Sequence, residues 1–173
     1  EVAIDMPAGP SEVLVFADEN ANPAWMAADL LSQLEHGEDS QAILVTPSQL
    51  IAKQVLFEVK KQIEILERKE IIKESFKNSF IVIVENDNQA CELINEYAPE
   101  HLEIVSINEN KILEKINNAG SVFLGKYSSE PLGDYATGSN HTLPTSGYAK
   151  MFSASPLNHL ERMICSSTSS KQA

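Results

Sequence analysis

Cysteine is scarce: Cys91 and Cys165 stand far apart and in no metal-binding spacing, so neither a disulfide scaffold nor a thiolate metal knuckle is encoded. That pattern suits a reduced, cytoplasmic chain. Basic residues are also few, with 13 Lys and Arg against 25 Asp and Glu and a formal net charge of −12. Such a surface repels a phosphate backbone, which argues against a nucleic-acid partner. No apolar run approaches the length needed to cross a bilayer, so no membrane partner is expected. Neither GxGxxG after a strand nor a Walker lysine occurs, so no dinucleotide or nucleotide phosphate loop is expected within this chain. Aromatic residues make up only 6%, which leaves the core to Ile, Leu, Val and Ala.

What remains is a globular composition, 43% hydrophobic and 22% charged over 173 residues, enough for one domain with a trailing extension. The chain begins on Glu1, as suits a processed chain or a piece of a longer one.

The first strong segment, "SEVLVFAD" (Ser11 to Asp18), is a short Val- and Leu-rich run that reads as a strand buried on both faces. In "NPAWMAADLLSQLEHG", Asn22 suits a helix cap, Pro23 the first helical position and Gly37 a left-handed stop. A second strand, "AILVT", leads into "TPSQ", where Thr46 and Gln49 have capping-box spacing. A long helix is predicted from Pro47 to about Arg68, with Ile51, Val55, Val59, Ile63 and Leu66 on its apolar stripe. Strands follow at "SFIVIVE", "HLEIVS" and "GSVFLG", with helices at "DNQACELINEYAP" and from Asn108 to Asn117. This alternation predicts an α/β fold: an open, mostly parallel sheet of about five strands with helices on both faces, an incomplete Rossmann-like half. After Gly125 a long Gly-, Ser- and Thr-rich loop carries tyrosines and buried-looking Leu-Pro pairs, which favours an ordered functional loop. Residues 1–152 form the α/β domain in this reading, and residues 153–173 a short helix and flexible tail.

Three pairs of side chains could carry chemistry. Gln33 and His36 are three apart, on one face of the last turn of their helix. Taken alone they are explained by a polar turn, with His36 against the negative helix end. Glu100 and His101 adjoin at a strand entry, and an acid beside an imidazole can move protons near neutral pH. A solvated pair is the plainer alternative. Asp134 and His141 lie in the long loop, among small residues that let backbone approach a ligand. His159 receives no functional reading. The end of a helix and the start of the next strand share one edge of an α/β sheet, so Gln33, His36, Glu100 and His101 can meet there. That edge lies opposite the usual ligand crevice.

Together "AGPSEVLV", "AADLLSQLEHG", "YAPEHLEI", "AGSVFLG" and "LGDYATGSNHTLPTSGYA" resemble the histidinol dehydrogenase family in order and spacing over roughly residues 1 to 152. The resemblance implies a four-electron oxidation of L-histidinol to L-histidine through the aldehyde, with two NAD+ and a bound zinc ion. It implies Gln33, His36 and Asp134 as zinc ligands, His101 as the base for the alcohol proton, and Glu100 as the residue that activates water. Ser11 and His141 would contact substrate, as would Gln33, His36, His101 and Asp134. In the family the NAD-binding segment precedes this region, and a further histidine ligand with a substrate-binding glutamate comes from the partner subunit of a homodimer. Neither is found here, so the isolated chain is expected to bind zinc weakly and not to turn over histidinol. The alternative is a noncatalytic α/β module that binds metal or self-associates through open sheet edges.

Overall fold

A computed structural model describes residues 9–130, 143–151 and the backbone of 165–168. Six strands form one sheet among them: β1 (Glu12–Ala17), β2 (Gln41–Thr46), β3 (Phe80–Ile83), β4 (His101–Val105), β5 (Ser121–Leu124) and β6 (Cys165–Thr168). Their order is β3-β2-β1-β4-β5-β6, and every neighbouring pair is parallel. The open α/β sheet expected from the alternating pattern is therefore present. It carries one strand more than expected, because Cys165–Thr168, placed in the tail by composition, pairs with β5. Ser and Thr there read as tail only while the sheet edge they pair with is out of view.

The helices are α1 (Pro23–Leu34), α2 (Gln49–Ile63), α3 (Lys69–Ser75), α4 (Asp87–Tyr97) and α5 (Glu109–Leu113). They cover both faces. Val13, Val15 and Ala17 of β1 pack with Leu30 and Leu34 of α1 and with Ile51, Val55, Val59 and Ile63 of α2. Leu14 and Phe16 pack on the other face with Ala90, Cys91 and Ile94 of α4 and Ile112 of α5. All six residues of β1 are buried, and each large apolar side chain among them contributes roughly 1.5–3 kcal/mol. At the other extreme β3 is an edge strand whose Phe80, Ile81 and Ile83 are 56%, 38% and 49% exposed.

The local cap and stop signals act only in part as expected. Asn22 does cap α1, its side chain accepting from the amides of Ala24 and Trp25, and Pro23 opens the helix. Gly37 does not supply the left-handed stop, since α1 ends at Leu34 with Glu35 in the right-handed region. The predicted Thr46–Gln49 capping box is replaced by Ser48, whose Oγ accepts from the amide of Ile51, while Thr46 ends β2. The single long helix breaks after Ile63 into α2 and α3, and the segment expected from Asn108 to Asn117 keeps a helix only over Glu109–Leu113.

Candidate active site

The turn between α4 and β4 presents the acid–imidazole pair. α4 ends on Ala98 in the left-handed region (φ 57°), its amide bonded to the carbonyl of Ile94 at 2.8 Å. Pro99 then prevents continuation of the helix. The carbonyls of Pro99 and Glu100 accept from the amides of Gly120 and Ser121 at 2.9 and 2.8 Å, pinning this turn to the start of β5. Gly120 is required by space, because a Cβ there would lie 2.5 Å from the Glu100 carbonyl oxygen.

Glu12 at the start of β1 holds both side chains of the pair with its main chain. Its N–H donates to Oε2 of Glu100 at 2.8 Å, and its carbonyl oxygen lies 3.1 Å from Nδ1 of His101. Glu100 Oε2 is also 3.5 Å from that nitrogen, and both side chains are buried. A carbonyl can only accept, so the neutral ring keeps its proton on Nδ1 and leaves Nε2 with a lone pair. Burial opposes the charged form of His101, yet the Glu100 carboxylate beside it more than offsets this, and its pKa is raised.

His101 and Glu103 alternate with Leu102 and Ile104, which belong to the α4 face, so both side chains point to the α1 face. Glu103 is fully buried there and meets Asp29 of α1. Two ionised carboxylates have no hydrogen to share, so this contact requires a proton. Burial, followed by the charge of its neighbour, raises Glu103 well above the carboxylate range, and burial lifts Asp29 to about 6.

That contact sets the register of helix over strand. Gln33 is one turn beyond Asp29, about 6 Å further along the axis. His101 is two residues before Glu103, about 6.6 Å back along the strand. Because α1 runs against the strands, Gln33 is carried toward His101. It is fully buried, and neither its Oε1 nor its Nε2 has a hydrogen-bond partner. His36 lies beyond the end of α1, exposed, with its N–H donating to the Gln33 carbonyl at 3.2 Å. The two are thus not on one face of a last helical turn: one is inside and the other at the rim of the same sheet edge. Ser11 is half-buried on that edge, one residue before Glu12.

Asp134 and His141 fall outside the described residues, and among those described no three His, Cys, Asp or Glu are grouped to hold a metal. Asp29, Glu12, Glu103 and Glu130, all part of this environment, were missed from the sequence. The available signal was an acid inside an otherwise apolar strand, "HLEIV".

A sequence model of histidinol dehydrogenase matches residues 1–173. The chain belongs to the histidinol dehydrogenase family. It is 54% identical over 164 residues to the histidinol dehydrogenase of Bacteroides fragilis (strain YCH46), covering 95% of this chain and 38% of that protein. With the enzyme of Haemophilus influenzae (strain 86-028NP) it shares 53% over 152 residues, 88% of this chain and 36% of the relative. The crystal structure of histidinol dehydrogenase from Elizabethkingia anophelis superposes with a TM-score of 0.88 at 51% identity, over 91% of this chain and 36% of that one. The chain therefore spans little more than a third of the length of these histidinol dehydrogenases.

Proposed function

We propose that this chain is the zinc and acid–base portion of a histidinol dehydrogenase that oxidises L-histidinol to L-histidine with NAD+. The single observation that carries the reading is the Glu100–His101 pair, buried and fixed by the Glu12 main chain, with Nε2 of the imidazole left as the basic nitrogen.

In this reading His101 takes the proton of the substrate hydroxyl as hydride leaves the carbinol carbon for NAD+, giving the aldehyde. Glu100 then takes a proton from water as its oxygen adds to the aldehyde carbon, and His101 gives its proton to the former carbonyl oxygen, which leaves the hydrate and a neutral imidazole. His101 takes a hydroxyl proton of the hydrate while a second hydride leaves for a second NAD+, and the resulting carboxylic acid loses its proton to solvent as the carboxylate.

Gln33, His36 and Asp134 would hold zinc, which would orient the substrate's nitrogen atoms. The fit rests on Gln33, because an amide buried without partners costs about 1–3 kcal/mol, a cost that a bound cation at Oε1 relieves. Ser11 and His141 would contact the substrate. The NAD site would lie in a segment outside this chain, and a homodimer partner would complete the zinc site. A cytoplasmic biosynthetic enzyme follows from the same reading. Among the described residues no helix is long and apolar enough to cross a membrane.

The test joins this sequence to an NAD-binding segment and follows NADH absorbance with histidinol. Restored oxidation, with zinc lost on Gln33→Ala or His36→Ala, supports the reading; an inactive longer protein with a zinc content indifferent to both changes rejects it.

The noncatalytic alternative has one observation in its favour, the exposed apolar edge strand β3. It calls for a tight dimer of the 173-residue chain.

A further inference from the structure

Residues 143–147 form a turn at the sheet edge that carries the acid–imidazole pair. Leu143, Pro144 and Thr145 are buried, and the amide of Tyr148 donates to the carbonyl of Thr145 at 3.0 Å.

The neighbours of this turn are the three segments on which the pair is mounted. Thr145 packs on Gly9 in the lead to β1, where a Cβ would lie 2.1 Å from the threonine hydroxyl. Pro144 packs on Gly120 before β5, where a Cβ would lie 3.3 Å from the proline Cδ, and the Gly120 amide in turn holds the Pro99 carbonyl. Gly147 faces the end of α4, its Cβ position 3.6 Å from the carbonyl oxygen of Tyr97. One turn thus meets the ends of β1, β5 and α4.

A buried charge ties it there. Oε1 of Glu12 accepts from the N–H of Ser146 at 3.0 Å. The tie holds strained backbone, because Ser146 sits in the left-handed region (φ 55°), which a non-glycine residue adopts only when its surroundings demand it. A second tie, Lys150 to Glu96 of α4 at 2.9 Å, lies at the surface and contributes little.

Glu12 is not explained by packing. It is 5% exposed on the α4 face with Leu14 and Phe16, and its Oε2 has no hydrogen-bond partner. Burial raises its pKa, and the Ser146 amide is the strongest influence opposing that rise. An apolar residue would avoid the desolvation but would leave the Ser146 amide without its acceptor. The main chain of the same residue meanwhile holds Glu100 and faces Nδ1 of His101.

From this arrangement we infer that Glu12 is a positioning residue: its carboxylate locks residues 143–147 as a wedge across the ends of β1, α4 and β5, and so fixes the turn that presents Glu100 and His101. The consequence for catalysis rests on the roles proposed above for that pair. The Glu12 carboxylate touches no reacting atom. It acts through the Ser146 amide and the seating of Pro144 on Gly120, as outer hydrogen-bond partners commonly orient functional groups.

The experiment compares Glu12→Met, which fills the volume but cannot accept, with Glu12→Gln, which keeps an acceptor oxygen. Ser146→Pro removes the donor and cannot adopt a positive φ, leaves Glu12 intact, and serves if Glu12→Met fails to fold. Hydrogen exchange is read on the 173-residue chain at the amides of Ser146, Gly120 and Ser121, normalised to Val45 in β2. In Glu12→Met all three should exchange about tenfold faster, and Glu12→Gln should restore them. Ser146→Pro should speed Gly120 and Ser121 alike. With the chain joined to an NAD-binding segment, Glu12→Met should lower kcat for histidinol about 10- to 100-fold with KM little changed, and Glu12→Gln should recover it.

Faster exchange confined to Ser146, equal loss in Met and Gln, or unchanged Gly120 and Ser121 in Ser146→Pro overturns the positioning role. So does an unchanged kcat of Glu12→Met when the joined wild-type protein is active. If that wild-type protein does not oxidise histidinol, the functional reading itself fails and the exchange pattern alone decides the role of Glu12.

Discussion

Nδ1 of His101 lies 3.1 Å from the main-chain carbonyl oxygen of Glu12, a group that can only accept. The protonation pattern of the imidazole is thereby written by a backbone atom of a neighbouring strand. Side-chain substitutions at position 12 leave that carbonyl in place.

In the proposed role His101 must be neutral to act as a base, and its pKa is raised above 6.5, so the proposed oxidation by a protein carrying this segment should fall on the acid side through an apparent pKa above that value. The linkage sign is opposite for stability. A raised imidazole contributes stability that is fully present below about 6.5 and is lost as pH rises through its folded value. His101→Gln should lower kcat by about 100- to 10,000-fold and flatten the acid limb. A kcat–pH profile of both proteins checks this, and an unchanged acid limb in the variant would exclude His101 as its origin.

The Asp29–Glu103 contact has its own pH signature. Both carboxyls titrate higher in the folded chain than in the unfolded one, Asp29 at about 6 against 3.8. Between those values the native state binds more protons, so this pair contributes stability below about pH 4 that is lost as pH rises through 6 and beyond. Glu103→Gln supplies the hydrogen to Asp29 without a titrating proton. Relative to the wild type it should gain on the order of 1 kcal/mol or more between pH 4 and 8, measured by urea denaturation at each pH. A wild-type-like slope in the variant would place the proton elsewhere.

Gln33 separates stability from metal affinity. Replacing an unpaired buried amide by a side chain of similar shape should relieve its desolvation cost, so Gln33→Met should stabilise the metal-free chain by about 1–3 kcal/mol. The same change should weaken zinc binding at least tenfold. Denaturation midpoints with a chelator present, set beside zinc titrations, test the two halves independently. A variant that loses stability without metal would mean that the amide is satisfied in solution.

The turns that carry the candidate side chains Gln33, His36, Glu100 and His101 were legible in the chain because they fall at element boundaries. A Pro-led "EH" before an apolar strand and a "QLEHG" after an amphipathic helix mark turns, and in a parallel α/β unit those turns fall on one sheet edge. Less legible was the depth of each group. His36 and Gln33 look equivalent on a helical wheel, yet α1 stops at Leu34, which leaves one exposed and the other sealed. The stop comes from the turn after the helix rather than from Gly37, and no local propensity announced it.

Alternating apolar runs by themselves determined the strand–helix alternation through β5 and the parallel sheet, because periodicity is a property of neighbours in the chain. Only the tertiary structure decided that Glu12 would hold Glu100, His101 and Ser146, and that Glu103 would share a proton with Asp29 while holding Glu130. Those partners lie 27 to 134 residues apart in the hydrogen-bonded cases, and their energies arise only when packing removes water from between them.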